Sequence, residues 1–327
     1  MSKSDRHPQR ILFTAPHDFL GGFADRYRPR LEMTFREMWF PHELDDRYDV
    51  HAWITNPGQH FVVTTAILDR FPNLRVLATP STGNNHVDQT ACRNRGIAFI
   101  SLLDDRSSLE QISASSEFTF LHILNGLRRF DLGIQELRGG SWRLNEPVLR
   151  GRELQGKRVG LVGFGRIGRR LARYCQAFGA KVAFHDPYVR KALPSIARTS
   201  ELGELWSKCD VIVVCCSLTD ETRSMLGGEL IRTAPKGAVI VNTARGEVFN
   251  EHELVATLET RPDLTFTADV LTGEVENRQY ESPLMGLVGK GQVVLTPHMA
   301  GATVESQRTA AKVIIALVER ALTGTAQ

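Results

Sequence analysis

Three side chains of this sequence combine the residue types and positions best suited to chemistry. They are Arg245, Glu274 and His298. Each follows a short apolar run typical of a buried strand, and the runs cover residues 238–242, 265–268 and 293–295. In an open parallel sheet the carboxyl ends of the strands form the edge where ligands bind. The spacing therefore predicts that one arginine, one glutamate and one histidine meet at this edge.

These residue types suit a reaction at a ketone beside a carboxylate. A guanidinium can bind the carboxylate and polarise the carbonyl with its planar set of donors. An imidazolium can protonate the carbonyl oxygen and recover the proton in the reverse direction. A carboxylate bonded to the imidazole orients the ring and favours its charged form. Each residue alone could be a surface ion pair, a solvated charge or a turn histidine, but the combination favours interconversion of 2-oxo and 2-hydroxy acids.

A glycine-rich segment at 163–168 lies between a predicted strand and a predicted helix. Gly163 would make the tight turn, Gly165 would let a pyrophosphate approach the backbone, and Gly168 would let the helix pack closely on the strand. The helix N-terminus offers free N–H groups to phosphate, and Arg166 could add a charged contact. The segment therefore predicts a dinucleotide site.

Asp186 supports this interpretation because it ends the next predicted strand, 23 residues after Gly163. An acidic residue at this distance accepts hydrogen bonds from the ribose hydroxyls. Its charge would repel a 2′-phosphate, so the sequence favours NAD over NADP. Arg190 and Lys191 follow shortly after and leave NADP as the open alternative.

Composition excludes several other classes. The chain has 327 residues, 40 Lys plus Arg against 37 Asp plus Glu, and a net charge of +3. This balance does not indicate a nucleic-acid or membrane-surface protein. No apolar run approaches the roughly 18–20 residues of a spanning helix, and the polar N-terminus does not resemble a signal peptide. Five cysteines without zinc-like spacing predict no metal site and a reduced, cytoplasmic location.

Alternating strand and helix patterns predict an α/β fold with doubly wound parallel sheets. In the first hundred residues we predict strands at 11–14, 51–55, 74–79 and 97–100 and helices at 25–38 and 63–70. A long apolar helix is predicted at 109–130, buried or at an interface. A repeated strand–helix pattern follows from residue 158, with helices that include 221–233 and 302–322.

With these motifs in place, the chain resembles the D-isomer-specific 2-hydroxyacid dehydrogenase family. The similar segments are the dinucleotide signature at 156–168, the arginine motif at 242–246, the Asp-Val…Glu motif at 269–274 and the histidine motif at 297–301. The resemblance implies that Arg245, Glu274 and His298 are catalytic and that Asp269 lies near the nicotinamide. The further residues that it places at the cofactor are Ile167, Cys216, Thr222, Thr243, Ala244 and Gly301, together with His298.

The family also implies two Rossmann-like domains. A discontinuous, flavodoxin-like substrate-binding domain would comprise 1–105 and 299–327, and an inserted NAD-binding domain would comprise 106–298. Family members are usually homodimers that pair through the cofactor domains. The helix at 109–130 fits such an interface, and burial in the core explains it equally well.

One loop of the first domain, at 81–88, is similar to the family's substrate loop. There, backbone N–H groups hold the substrate carboxylate, which implies substrate-binding roles for Thr82 and Gly83. Asn85 and His86 depart from the family pattern, so His86 is either a substrate ligand or an ordinary loop histidine. Val275 follows Glu274 where proline is common, which predicts a looser loop around the glutamate.

The predicted function is an NAD-dependent oxidoreductase that transfers a hydride between nicotinamide and a small D-2-hydroxy or 2-oxo acid. The alternative is an NAD(H)-binding regulatory protein of the same fold with little or no turnover, because a fold alone does not establish activity. Formate dehydrogenase, a related enzyme, is disfavoured because that family has glutamine where Glu274 stands and a longer chain. The sequence does not specify which acid is the substrate.

Overall fold

The computed structural model describes residues 8–27, 30–143, 146–189 and 195–324, which form two compact units. The first unit contains Met1–Ile112, Val275–Asn277 and Ala302–Gln327, and the second contains Ser113–Glu274 and Arg278–Gly301. The assignment of substrate binding to 1–105 plus 299–327 and of cofactor binding to 106–298 stays a prediction. Arg190 and Lys191 lie outside the described residues.

Parallel strands form the centre of each unit. They are β1 Gln9–Phe13, β2 Leu31–Phe35, β3 Ala52–Ile54, β4 Val76–Ala78, β5 Ala98–Ile100, β6 Arg158–Val162, β7 Lys181–His185, β8 Ala197–Arg198, β9 Val211–Val214, β10 Val239–Asn242, β11 Thr265–Ala268 and β12 Val293–Leu295.

Helices cover the sheets, and several connections are short 3₁₀ turns. The α-helices are α1 Thr65–Leu68, α2 Gln89–Asn94, α3 Arg106–Leu109, α4 Ala114–Arg128, α5 Phe130–Arg138, α6 Glu146–Leu149, α7 Arg166–Ala177, α8 Leu202–Lys208, α9 Gly228–Arg232, α10 Glu251–Thr260 and α11 Val304–Thr323. The 3₁₀ helices are Asp18–Tyr27, Pro41–Glu43, Leu102–Asp104, Gly246–Val248, Gln279–Glu281 and Pro283–Leu287.

The first unit has the strand order β2-β1-β3-β4-β5, which is the flavodoxin-like order. Helix α11 packs on this sheet, with Ile314, Ile315 and Val318 buried in the same cluster as Ile11 and Phe13. Burying an aliphatic side chain of this size contributes about 1.5–3 kcal/mol. Packing of this apolar stripe therefore joins the C-terminal helix to strands from the start of the chain.

The predicted helix at 25–38 is wrong, because β2 occupies its second half and pairs in parallel with β1. Leu31 is buried, whereas Glu32 and Thr34 are exposed. Side chains that alternate in this way have the period of a strand, and its apolar members fill the sheet face. The period of two over these five residues was the signal that favoured a strand.

The second unit has the strand order β12-β11-β10-β9-β6-β7-β8, and every neighbouring pair is parallel. Starting from β8, six strands follow the Rossmann order and β12 extends the sheet. Helix α4 lies close to this sheet, because a Cβ at Gly126 would be 2.5 Å from Val239 Cγ1. The predicted α/β class with two doubly wound domains is confirmed.

Two helix predictions in this unit need correction. The helix predicted at 109–130 is continuous only over α4, since Arg129 adopts a left-handed φ of 53° and α5 begins after it. In the helix predicted at 221–233, only α9 forms. The Thr222 hydroxyl instead donates to Ser217 O at 2.7 Å and accepts from Thr219 N at 2.8 Å, which stabilises a turn.

Length and apolar character together decide whether a helix can cross a bilayer. No helix within residues 8–27, 30–143, 146–189 and 195–324 is both long enough and apolar enough to cross a membrane.

Candidate active site

Arg245 lies three residues beyond the end of β10, in a turn organised by Asn242. The buried Asn242 amide accepts from Ala244 N at 3.1 Å and donates to Arg245 O at 3.0 Å. Arg245 Nη1 also donates to Ala244 O at 2.6 Å. Burial lowers the pKa of Arg245, whereas nearby Glu274 and Glu247 favour its charge. A guanidinium remains protonated in such a site, so Arg245 is placed as a partly buried cation.

Glu274 lies in a loop whose backbone N–H groups donate to three carboxylates, including its own. Glu274 Oε1 accepts from Leu271 N at 2.8 Å, and Glu247 Oε1 accepts from Gly273 N at 3.4 Å. Buried Glu251 accepts from Thr272 N at 2.8 Å and from the Ser282 hydroxyl at 2.6 Å. The looser loop predicted from Val275 is therefore not what the hydrogen bonds indicate.

The arginine turn and the glutamate loop are also in direct contact. A Cβ at Gly246 would be 2.1 Å from Leu271 C and 2.2 Å from Thr272 N. Only glycine allows the two backbones to approach this closely. The residue after Arg245 thus fixes the distance between two of the predicted catalytic segments.

His298 and Glu274 form a hydrogen-bonded pair. His298 Nδ1 lies 2.6 Å from Glu274 Oε2, and the two side chains are 46% and 21% exposed. Because Nδ1 is engaged with the carboxylate, Nε2 is the nitrogen available for proton transfer. His298 has a left-handed φ of 51°, unusual for a residue with a side chain. Its backbone N–H donates to Asp269 O at 2.8 Å.

Asp269 stabilises the backbone on the other side of His298. Its carboxylate is fully buried and accepts from Met299 N at 3.0 Å and Ala300 N at 2.7 Å. It also accepts from the Thr296 hydroxyl at 2.5 Å. Burial raises the pKa of Asp269, and these donors oppose that shift. In the structure, Asp269 holds residues 298–300, which we call the histidine turn. Its predicted role at the nicotinamide stays a prediction.

The glycine loop has the geometry that a pyrophosphate requires. Gly163 has a φ of 93°, and a Cβ there would lie 2.8 Å from Cys216 N. A Cβ at Gly168 would lie 2.5 Å from Gly163 O, so helix and loop pack without a side chain between them. A Cβ at Gly165 would meet no atom within 4 Å, which leaves open space beside the N-terminus of α7. Arg166 begins this helix, where backbone N–H groups can receive an anion.

Asp186 follows β7 and contacts the glycine loop. Its Oδ2 accepts from Phe164 N at 2.8 Å, and its Oδ1 accepts from Tyr188 N at 2.9 Å and Val189 N at 3.2 Å. Each carboxylate oxygen has more than one acceptor site, so ribose hydroxyls could bind in addition. The open space at Gly165 and the placement of Asp186 fit a dinucleotide.

The other predicted cofactor residues lie in the same unit. Thr243 Oγ1 lies 2.6 Å from Thr119 Oγ1 in α4, and Ala244 belongs to the arginine turn. Burial raises the pKa of the Cys216 thiol to about 11, so the thiol is neutral near pH 7. The remaining members are Ile167 in α7, Thr222 in the turn after β9 and Gly301 after the histidine turn.

The loop with Thr82 and Gly83 belongs to the first unit. Gly83 N donates to Ser81 Oγ at 3.0 Å, so that backbone N–H already has a partner. His86 is only 1% exposed, and its Nε2 lies 3.1 Å from Thr79 Oγ1 and 3.3 Å from Thr55 Oγ1. These contacts favour the ordinary loop histidine over a substrate ligand. The substrate-binding roles of Thr82 and Gly83 stay predictions.

Sequence reasoning missed the residues that position the site. Asn242 belongs to a predicted motif, but the sequence does not indicate its positioning role or those of Glu247 and Glu251. His122 and Thr296, which bond to each other at 3.0 Å, were likewise missed. The available signal was their polar character beside or within apolar segments, because a buried polar group needs a partner.

Comparison with known proteins places the site in a wider class. Residues 120–300 match the family described as D-isomer specific 2-hydroxyacid dehydrogenase, NAD binding domain. The (S)-sulfolactate dehydrogenase of Chromohalobacter salexigens is 33% identical over 263 residues, which cover 80% of this chain and 81% of that protein. Formate dehydrogenase of Arabidopsis thaliana is 28% identical over 79% of this chain and 66% of its own.

A solved structure agrees over nearly the whole length. The TT0316 protein from Thermus thermophilus superimposes with a TM-score of 0.82 and 29% identity, covering 97% of each chain. The glycine loop, Asp186 and the polar side chains that follow β10, β11 and β12 define a dinucleotide-binding α/β protein. The chain belongs to the D-isomer-specific 2-hydroxyacid dehydrogenase family. The predictions of this family, of NAD as cofactor and of oxidoreductase function are confirmed.

Proposed function

We propose that Arg245, Glu274 and His298 interconvert a small 2-oxo acid and the corresponding D-2-hydroxy acid. The observation that carries this proposal is the 2.6 Å bond between His298 Nδ1 and Glu274 Oε2, beside an arginine whose charge Glu274 favours. Acid, orienting carboxylate and anion-binding group therefore occur together. They follow three neighbouring strands, β10, β11 and β12.

Each residue has a distinct task in this proposal. When bound, NADH would supply the hydride to the substrate carbon, and NAD⁺ would accept it in the reverse direction. Arg245 binds the substrate carboxylate through its planar fork and polarises the adjacent carbonyl. His298 donates the proton on Nε2 to the carbonyl oxygen during reduction and accepts it during oxidation. Glu274 keeps the ring in the orientation that exposes Nε2 and favours its protonated form.

Asp186 gives the proposed site its preference for NAD. Its carboxylate is fixed by three backbone N–H groups and lies beside the glycine loop. A 2′-phosphate there would bring two negative charges together, which is unfavourable. Arg198 Nη2 lies 3.5 Å from Asp186 O and could soften this discrimination. We therefore expect a preference for NAD rather than absolute selection.

We also propose a homodimer formed through the second unit. Helix α4 packs against its own sheet and α7, which accounts for its buried face. Several exposed apolar side chains instead occur in the stretch of chain from α4 to α6, where a second copy could cover them. They are Leu121, Phe130, Leu137, Trp142 and Val148, which are 47–78% exposed. Replacing Phe130 and Leu137 by Ser should give monomers in sedimentation, whereas Tyr280→Ser, a change at another exposed aromatic, should not.

The deciding experiment is a panel of 2-oxo acids assayed with NADH, together with formate and NAD⁺. Steady turnover of one or more oxo acids supports the proposed enzyme, and kcat/KM identifies the substrate class. NADH binding without turnover of any acid would favour the regulatory alternative. Turnover of formate alone would contradict the roles given to Glu274 and His298.

A further inference from the structure

A buried histidine outside the proposed catalytic group packs against Phe118, with ring centroids 5.1 Å apart, and makes one side-chain hydrogen bond to the described residues. His122 lies in α4, is 2% exposed, and its Nε2 is 3.0 Å from Thr296 Oγ1. Its Nδ1 is buried and has no hydrogen-bond partner in the part of the chain that the structure describes. Burial also lowers the pKa of His122 to about 4, so the ring is neutral near pH 7.

The proton order along this contact follows from the number of hydrogens. Thr296 has one hydroxyl proton, and its Oγ1 lies 2.5 Å from Asp269 Oδ1. The carboxylate can only accept, so Thr296 donates to Asp269 and must accept from His122. His122 therefore carries its proton on Nε2, and its Nδ1 is an unprotonated acceptor. We call this series of hydrogen bonds, from His122 to Thr296 to Asp269, the relay.

The relay ends on the turn that carries His298. The buried Asp269 carboxylate binds the N–H groups of Met299 and Ala300, while its carbonyl accepts from the N–H of His298. Donors that satisfy this carboxylate stabilise it and so strengthen its hold on the turn. A left-handed conformation at a residue with a side chain persists only when surrounding contacts enforce it.

His122 is poorly explained by packing alone. A buried nitrogen without a partner destabilises a fold, and an apolar side chain of similar size would avoid that cost. Its neighbour Ile123, fully buried in the same helix, is apolar. The ring nitrogen of His122 that has a partner is Nε2, which contacts Thr296. A functional role for His122 would therefore act on the turn that carries His298.

We propose that His122 is a positioning residue, which acts through Thr296 and Asp269 to hold His298 in its productive conformation. The inference rests on the proposed function, because it assumes that His298 transfers a proton. It concerns placement of the ring rather than binding of substrate or NAD. A loss of the relay should therefore lower kcat and leave the KM for the oxo acid and the Kd for NADH nearly unchanged.

Two substitutions at His122 distinguish the effect of the Nε2 hydrogen-bond donor from the effect of side-chain size. His122→Leu removes the Nε2 donor, and kcat should fall about three- to tenfold, the factor of one ordinary hydrogen bond. His122→Gln keeps an N–H at a similar distance from the backbone and should restore most of the rate. Ile123→Leu, the matched control in α4, should keep the wild-type kcat. Unchanged kcat in His122→Leu, or no recovery in His122→Gln, would overturn the proposal.

A double-mutant cycle tests whether the effect passes through Thr296. Thr296→Val removes the hydroxyl at nearly constant volume and interrupts the relay. If the relay is real, adding His122→Leu to Thr296→Val should lower kcat no further. Effects that multiply in the double variant would show that His122 acts by another route and would overturn the proposal.

Stability and hydrogen exchange provide readouts that do not depend on turnover. His122→Leu should keep or raise the Tm, because it removes an unpaired buried nitrogen. In the protein without NAD, the amides of Met299 and Ala300 should exchange faster in His122→Leu and Thr296→Val than in Ile123→Leu. A Tm that falls with kcat, or unchanged exchange, would contradict the relay. If the wild type turns over no oxo acid but these amides respond, the proposed function fails and the structural relay stands.

Discussion

The glycine loop and the Arg–Glu–His group occupy the same edge of one sheet but are built differently. The loop, residues 163–168, is one continuous segment after β6, and its geometry depends on missing side chains. The group takes its members from loops after β10, β11 and β12, and side-chain hydrogen bonds set its geometry. Backbone forms the first site, whereas side chains from distant parts of the chain form the second.

This difference determines how substitutions should act on the two regions. The backbone N–H groups of the loop remain when a single side chain changes. One substitution near the loop should therefore weaken NADH binding only in part. In the proposed reaction the three side chains have separate chemical tasks, and removing one leaves its task unfilled. Changes in the Arg–Glu–His group should therefore affect turnover with little effect on NADH binding, and a change at Asp186 should do the reverse.

His298→Ala should have the largest effect, because it removes the proton donor. The rate should fall by about 10²–10⁴ in both directions, the usual contribution of general acid–base catalysis. The Kd for NADH, measured by fluorescence titration, should stay close to that of the wild type. His252→Ala, a change at an exposed histidine of α10, is the control and should retain full activity. Full activity in His298→Ala would remove His298 from the mechanism.

Arg245→Lys should have the second largest effect. It keeps the positive charge but loses the planar fork. We expect kcat/KM for the oxo acid to fall about 10- to 100-fold, the size of one hydrogen bond to a charged group. NADH affinity should change little, and Arg173→Lys, at an exposed position of α7, should behave as the wild type. An equal loss of NADH affinity would mean that Arg245 serves the cofactor or the fold.

The same contrast explains what the sequence could predict. Gly163, Gly165, Gly168 and Asp186 are a local pattern, so spacing alone indicated the dinucleotide site. The placement of Arg245, Glu274 and His298 at this sheet edge could be predicted because each lies in the loop that follows a strand. Their partners could not, since Glu251 and His122 are distant in sequence from the loops that they hold. Contacts of this kind depend on tertiary packing and leave no periodic signal in one sequence.

The fold was predictable where strands are long and fully apolar. β6 is buried at every residue after Arg158, and β10 is buried along its length and begins within one residue of the predicted run 238–242. The helix predicted over β2 failed because only five alternating residues distinguish that strand. The break in the helix at Arg129 also had no signal, because neither glycine nor proline marks its left-handed conformation.

Asp186→Ala tests the cofactor side of the comparison. Removing the carboxylate should raise activity with NADPH relative to NADH by about tenfold, the effect of one charged contact. Because Asp186 also holds Phe164 N, NADH should bind more weakly while kcat at saturation changes little. The measurement is kcat/KM for both cofactors, with Glu201→Ala, at an exposed carboxylate just before α8, as control. Equal use of both cofactors by the wild type would show that Asp186 does not select.

Glu274→Gln should have the smallest effect, a modest decrease in the rate of reduction. Reduction requires protonated His298, and oxidation requires the neutral ring. The Glu274 carboxylate, 2.6 Å from Nδ1, is the negative charge nearest to this ring nitrogen. It should therefore assist reduction, which uses the protonated ring. Glutamine keeps an acceptor for Nδ1 but removes the charge, so reduction should slow.

The kcat for reduction should fall about two- to fivefold in Glu274→Gln, the contribution of a partly exposed ion pair, while the Kd for NADH stays that of the wild type. Solvent limits the effect, because the His298 side chain is 46% exposed. Glu281→Gln, a change at an exposed carboxylate of the same unit, should leave kcat unchanged. If kcat is also unchanged in Glu274→Gln, the negative charge of Glu274 does not assist proton transfer and its carboxylate only orients the ring.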